Sequence, residues 1–374
     1  MSRAVDAVIL GAGIVGAACA DALSAEGLSV AVVEPALAGG GATAAGMGHI
    51  VVMDDSEPEF ALTRYSRDLW DRLMPELPAE AEPERCGTLW VAADEEEMEA
   101  VRAKAAFYGA RGVATEILDA RAVSEAEPNL RPGCAGALLV PGDSVIYAPF
   151  AAKWLLDRAL ARKAAAYAAA PVEIGGGRVR LEDGSRIEAH HIVCAAGTWA
   201  TSLIPNLGIR PRKGHLAITD RYPGFVRRQI VELGYLKSAH GAANESVAFN
   251  VQPRKTGQLL IGSSRQFGVE GSGVDRSILG RMLQRAIEYM PALARLGVVR
   301  VWTGFRAATA DKLPLIGPCA GPHGTYLATG HEGLGITTSL ATARLIADMI
   351  LGRAPAIDAA PYLPSRLANG PAHA

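Results

Sequence analysis

The stretch VILGAGIVGAACADAL, residues 8–23, together with Glu34 further on, decides how this chain is read. Ala4 to Leu10 is a short apolar run, glycines stand at 11, 13 and 16, an apolar periodic stretch continues through Ala25, and a second apolar run spans Leu28 to Val33. That pattern is a strand, a glycine turn, a helix and a second strand. Gly11 makes the turn, Gly13 lets a pyrophosphate approach the backbone, and Gly16 lets the helix sit close to the strand, with the helix N-terminus meeting the phosphate charge. Glu34 ends the second strand about 20 residues past the glycines, where a carboxylate accepts hydrogen bonds from a ribose. A lone GxGxxG is a weak signal, but the strand, the helix and Glu34 together point to a bound dinucleotide.

The 374 residues are 49% hydrophobic and 20% charged, which supplies a large core and excludes disorder and collagen-like repeats. Lys and Arg number 37 against 39 Asp and Glu, a formal net charge of -2, so no basic field invites nucleic acid and no acidic field invites cationic partners. Glycine is abundant at 41 residues, while aromatics make up only 6%. Cys19, Cys86, Cys134, Cys194 and Cys319 are odd in number and include no CxxC, which argues against a disulfide framework, a zinc site or an iron–sulfur cluster within the chain. His190 and His191 are neighbours on a strand and point to opposite faces, so no metal site is expected. Pro35–Met53 and Ala189–Ile209 lack charge over roughly 20 positions, the length of a bilayer span, but glycines in the first and His190, His191 and Pro205 in the second make both strand-and-loop pieces. The chain is expected to be soluble and cytoplasmic.

Further along, Glu95–Ala110 and Pro149–Arg162 read as helices, and Thr88–Ala93 and Gly136–Val140 as strands. LEDGSR at 181–186 is a hairpin turn leading to the strand Ile192–Ala195, which ends in Ala196-Gly197-Thr198. From His215 to Gly262 the pattern is mostly antiparallel strand, with Leu216–Thr219, Ser246–Val251 and Gln258–Ile261 the clearest segments. A helix at Ser277–Tyr289, a strand at Val298–Thr303 and a last helix from about Gly335 to Leu351 follow, and the tail beyond Arg353 reads as a surface strap. Dinucleotide-binding pieces at the start, middle and end, around a mostly antiparallel segment, imply two interleaved domains with ligand between them. The expected fold is α/β: a Rossmann-like dinucleotide-binding domain (residues 1–85, 141–214 and 304–374) interleaved with a mostly antiparallel substrate-binding sheet domain (86–140 and 215–303).

Four segments carry a family resemblance: the opening motif with Glu34, GGGATAAGMG at 39–48, HIVCAAGTWA at 191–200, and TGFRAATADKLPLIGP with YLATGHEGLGITTSLATARLIADMILG at 303–318 and 326–352. In order and spacing they resemble the superfamily of D-amino-acid oxidase, glycine oxidase and sarcosine oxidase. GHEGLGITTS and FNVQPRKTGQLLIGSSRQFG look closest to subunits of D-hydroxyproline dehydrogenases, opine oxidases and hydrogen cyanide synthase. The resemblance implies non-covalent FAD held by Gly11, Gly13, Ile14, Val15, Gly16, Glu34, Pro35, Gly41, Ala42, Thr43, Ala45, Gly46, Met47, Val172, Ala195, Ala196, Gly197, Trp199, Gly304, Arg306, Gly330, Gly333, Leu334, Gly335, Ile336 and Thr337. Reduction puts negative charge near flavin N1 and the C2 carbonyl, which the N-terminus of the last helix stabilises.

The chemistry implied is hydride transfer from the amine-bearing carbon of an amino or imino acid to flavin N5, leaving an imine. The protein's share is to fix a carboxylate and an amine so that one C–H points at the flavin. Arg306 matches the family's carboxylate-binding arginine, and its planar guanidinium suits a bidentate grip. Arg306-Ala307 stands where many relatives have Arg-Pro, which leaves the stiffness of that loop open. Glu332 either caps the last helix or holds a substrate ammonium. His331 either faces the flavin or packs and bonds locally, and His215 is a weaker catalytic candidate. Where sarcosine oxidases carry a lysine, this chain has Gly335 or Ile336. The leading expectation is the catalytic subunit of a D-hydroxyproline-type dehydrogenase that passes electrons to partner subunits. An opine oxidase or a cyanide-forming glycine dehydrogenase subunit is the alternative, and a flavin-binding subunit without catalysis is the second.

Overall fold

The computed structural model describes residues 3–234 and 245–368. The chain opens with strand β1 (Arg3–Leu10), helix α1 (Ile14–Ala25), strand β2 (Val30–Val33), the short helix α2 (Gly41–Ala44), strand β3 (His49–Ile50) and the long helix α3 (Glu57–Leu73). Next come β4 (Thr88–Ala92), α4 (Glu95–Ala110), β5 (Glu116–Asp119), α5 (Ala120–Ala126), β6 (Gly136–Val140), β7 (Ser144–Val145) and α6 (Ala148–Ala161). The middle holds β8 (Ala165–Tyr167), β9 (Pro171–Gly175), β10 (Arg178–Leu181), β11 (Arg186–Cys194), α7 (Ala200–Leu203), β12 (Arg210–Thr219), β13 (Gln229–Glu232), β14 (Glu245–Pro253) and β15 (Leu259–Phe267). The last elements are α8 (Arg276–Tyr289), β16 (Val298–Ala308), β17 (Leu315–Pro318), β18 (Thr325–Thr329) and α9 (Gly335–Ile350).

Two eight-stranded sheets organise these elements. The first runs β17-β18-β11-β1-β2-β8, with β10 and β9 added beside β11. Its centre is parallel: β1 pairs in parallel with β2 and β11, and β11 with β18. Parallel strands need cover on both faces, and β1 alternates accordingly. Ala7 and Ile9 join a core with α1, α6 and α9, while Val8 and Leu10 join one on the other face. The second sheet runs β16-β12-β15-β14-β13-β4-β6-β5 and is antiparallel except for β13 beside β4. One of its cores is closed by α8, through Met282, Ala286 and Tyr289, the last stacked on Phe249.

Side chains cap several helices: Ser56 accepts from Glu59 N on α3, Asp94 from Glu97 N on α4, and Asp275 from Ser277 N and Ile278 N on α8. The cap positions of α1 and α9 are Gly13 and Leu334, neither of which supplies a side-chain cap.

Four elements differ from the sequence reading. α3 has no counterpart in it. β16 continues through Ala308, so Arg306 and Ala307 stand on a paired strand and not in a loop. β12 starts at Arg210, which places His215 in mid-strand and adds Arg212 to the sheet. The tail is anchored: Tyr362 is buried, donates to Pro58 O at 2.6 Å, and is followed by an Arg366–Asp311 ion pair at 2.6 Å. Among the described residues no helix is long and apolar enough to cross a membrane, and no cluster of His, Cys, Asp and Glu is placed to hold a metal.

Candidate active site

The glycine turn lies at the carboxyl end of β1. Gly11 has φ +102°, and a Cβ there would stand 2.7 Å from Ala195 O, so the end of β11 presses directly on the turn. A Cβ on Gly16 would run into Gly11 O. Gly13 is more open, its Cβ meeting only Thr43 Oγ1 at 3.2 Å. Thr43 Oγ1 accepts from Ile14 N at 3.0 Å, which ties α2 to the start of α1. Glu34 accepts from Ala12 N and from Ala36 N, each at 2.9 Å, one bond per carboxylate oxygen, and each oxygen keeps a second lone pair.

The loop at 41–47 is wedged between the second sheet and α9. A side chain on Gly304 would collide with Ala45, one on Gly46 would come within 2.8 Å of Ile336, and one on Gly262 would stand 3.1 Å from Met47 Sδ. Gln252 donates to Met47 O at 2.6 Å. Thr337 Oγ1 donates to His49 O and accepts from Val51 N, so its hydroxyl belongs to this scaffold. Trp70 Nε1 bonds to the carbonyls of Ile336 and Thr337, so α3 fixes the first turn of α9.

Beyond the loop, Arg212 on β12 and Arg306 on β16 face each other in register. Arg306 lies over Gly214, where a Cβ would collide with its guanidinium, and beside Gly333, whose Cβ would sit 3.9 Å from its Nε. Its Nη1 donates to Ser264 O at 3.1 Å. Glu332, at φ +47°, is ion-paired with Arg212 and stands 3.8 Å from Arg265 Nε. Burial opposes its ionisation, but the guanidinium groups of Arg265, Arg212 and Arg306 prevail and hold its carboxyl below the usual range. A cavity of about 100 Å³ opens here, lined among others by His49, Glu59, Trp90, Arg212, Arg265, Lys312 and Glu332. A second, of about 360 Å³, lies across Met47, between Tyr147, Arg254 and Trp302.

Two open alternatives narrow, for Glu332 and His331, and one expectation changes, for His215. Glu332 does not cap α9, whose cap position is Leu334; its partner is Arg212. His215 is not placed for catalysis: it is fully buried, Nε2 accepts from Asp275 N at 3.0 Å, and Nδ1 is 2.9 Å from Ser264 Oγ, so both ring nitrogens are engaged. His331 bonds locally, Nε2 to Thr342 Oγ1 at 2.9 Å, and burial pushes its pKa down to about 3, which keeps it neutral. Val172 and Trp199 are exposed. Arg212, Arg265, Glu59 and Trp90 went unread as site residues. The strand signal could have been extended from Ile261 to Arg265, but only the tertiary pairing brings Arg212 beside it.

The chain matches the family described as FAD dependent oxidoreductase (DAO) over residues 6–349. It belongs to that family. Glycine oxidase of Pseudomonas aeruginosa is 29% identical to this DAO-family protein over 96% of its chain and 98% of the relative. Hydrogen cyanide synthase subunit HcnC of the same species is 28% identical over 100% and 98%, and a D-amino acid dehydrogenase of Xanthobacter autotrophicus 30% identical over 83% and 74%. Glycine oxidase from Geobacillus kaustophilus superposes with a TM-score of 0.88 at 26% identity, covering 98% of this chain and 99% of that one. L-proline dehydrogenase from P. horikoshii shares the fold at a TM-score of 0.88 and 22% identity, over 99% of each chain. The dinucleotide is therefore FAD, and the DAO-family protein is an FAD-dependent enzyme that oxidises amino acids at a C–N bond. Its residues fit that cofactor. Neither cap residue of α1 or α9 bonds the helix amides through its side chain, Ile14 N in α1 is taken by Thr43 Oγ1, Gly13 leaves open backbone, and Glu34 keeps acceptor capacity at the strand end.

Proposed function

We propose that this enzyme is the catalytic subunit of a cytoplasmic dehydrogenase for a secondary or cyclic amino acid of the D-hydroxyproline type. The observation that carries the reading is the opposed pair of charges at the end of β16: the Arg306 guanidinium beside Gly333, and the Glu332 carboxylate one residue before it. Together they complement a zwitterion, with Arg306 gripping the carboxylate and Glu332 drawing the ammonium, which fixes the C–H between them. The bound flavin supplies the acceptor for the hydride that leaves the amine-bearing carbon. The chain's own part is to bind, orient and keep water out, and the neutral His331 packs behind the turn as support.

FAD is held without a covalent bond, by the residues of the glycine turn, the 41–47 loop and the first turn of α9, with Val172, Trp199 and Gly304 in the same set. No cysteine lines either cavity among the described residues. Residues 1–85, 141–214 and 304–374 form the FAD-binding unit and 86–140 with 215–303 the substrate unit; of the four boundaries, β12 runs through the one at 214/215 and β16 through the one at 303/304. Full-length similarity to a hydrogen cyanide synthase subunit supports an assembly with electron-accepting partners, and keeps glycine as the second substrate reading.

The test is an anaerobic visible titration of the FAD-loaded protein with a panel of D-amino, imino and opine acids and glycine. Bleaching by a cyclic imino acid at the lowest concentration is expected. Bleaching by glycine or opines alone overturns the hydroxyproline-type reading, and bleaching by none overturns catalysis.

A further inference from the structure

The cavity of about 100 Å³ beside Glu332 carries more positive charge than one carboxylate grip needs. Arg212, Arg265 and Lys312 line it from three separate segments, and Arg306 stands just outside that lining, over Gly214. Like charges opposite one another on neighbouring strands are destabilising, and Arg212 and Arg306 occupy such a pair in the β12–β16 register. A fold that keeps them gains something else from the arrangement.

The acidic groups lining the cavity are Asp55, Glu59 and Glu332. Burial pushes the Glu59 carboxyl up to about 8, with Asp55 nearby adding to the effect, so Glu59 is protonated at neutral pH and adds no negative charge to the lining, while its Oε2 accepts from Asp55 N at 3.2 Å. His49 and His331 are held neutral by burial. Trp90 Nε1, a donor only, is buried against this cavity without a hydrogen-bond partner among the described residues. The lining is thus rich in donors and positive on balance. Its volume is roughly three times one water's share of the liquid, enough for a short acidic arm.

We propose that the substrate, within the secondary or cyclic class named above, carries a second carboxylate, which enters this cavity against Arg265, Lys312 and Arg212 while Arg306 takes the first. The inference rests on the zwitterion-binding reading of Arg306 and Glu332, and it adds a subsite that a simple imino acid leaves unfilled.

Matched pairs on the full FAD-loaded chain test it: sarcosine against iminodiacetate and D-norvaline against D-glutamate by anaerobic bleaching, and butyrate against glutarate, which cannot be oxidised at an amine, by isothermal titration. The dicarboxylic member of each pair is expected to half-saturate at a concentration at least about tenfold lower, as a charge-assisted hydrogen bond warrants. Lys312→Gln and, independently, Arg265→Gln should shrink that preference, read in each variant as the ratio of the two members' half-saturation concentrations. No preference in the native protein, or a preference that neither variant alters, overturns the inference. If no amine bleaches the flavin while glutarate still outbinds butyrate, the amino-acid reading fails and the anion subsite stands. If monoacids bleach it as readily as diacids, the subsite fails alone.

Discussion

Arg212 and Glu332 form an ion pair that joins β12 to the turn opening α9, and Glu332 holds it from a left-handed backbone conformation that glycine would adopt more readily. Both side chains are largely buried, at 9% and 14% exposure. Removing one partner of such a pair leaves a buried charge and costs about 3–5 kcal/mol. Glu332→Ala should lose that much in urea unfolding of the FAD-loaded protein. Glu332→Gly, which relieves φ +47°, should be the more stable of the two by about 1 kcal/mol. Equal stabilities would mean that the backbone conformation there costs nothing.

Arg306 Nη1 is already anchored to Ser264 O, so the guanidinium plane is set before substrate arrives. Arg306→Lys keeps the charge and loses the planar fork. A fall in kcat/KM of roughly 10- to 100-fold is expected, the worth of one or two charge-assisted hydrogen bonds, with flavin content unchanged. A variant as active as the native enzyme would move the carboxylate grip elsewhere.

Glu59 sets a pH dependence. Its folded carboxyl lies at about 8 against an ordinary 4.5, raised by burial. A raised folded value means stability that is fully present below 4.5 and lost as pH rises through 8. The loss is on the order of a few kcal/mol across that window. Glu59→Gln should flatten the decline in melting temperature between those limits. A native curve already flat there would show that the carboxyl ionises without penalty.

The histidines act at the other end. His49 is held at about 4 and His331 at about 3, both by burial, against an ordinary 6.5. Depressed folded values give stability that is present above 6.5 and lost as pH falls toward them. His331→Asn, which cannot protonate, should show a shallower acid limb in the same melting series; an unchanged limb would assign the acid loss to other groups.

The glycines of the turn separate cofactor contact from packing. A Cβ at Gly13 meets only Thr43 Oγ1, at 3.2 Å, whereas one at Gly16 collides with Gly11 O. Gly13→Ala should purify folded with a lowered ratio of flavin to protein absorbance, and Gly16→Ala should lose thermal stability as well. Full flavin content in Gly13→Ala would remove the pyrophosphate from that position.

Much of this architecture is legible in the residue pattern. β1, α1 and β2 follow from an apolar strand, glycine spacing and helical periodicity, and α4 follows from Asp94 and three glutamates at a helix start. α3 escaped because its inward face includes Thr63, Ser66 and Arg67, which break the apolar stripe that betrays a buried helix. The start of β12 escaped for a related reason: Arg210-Pro-Arg-Lys213 looks like a solvated loop until Glu332 arrives from the far end of the chain to neutralise Arg212. His215 looked chemically available because nothing local reveals that Ser264 and Asp275 engage its ring.

α1 and α9 pack side by side, with the glycine turn at the head of one and the Gly333–Ile336 turn at the head of the other. The first comes from the opening strand–helix unit and the second follows the whole antiparallel sheet in sequence. A cofactor held by both turns would tie these two distant segments together, so flavin retention would report that both are docked.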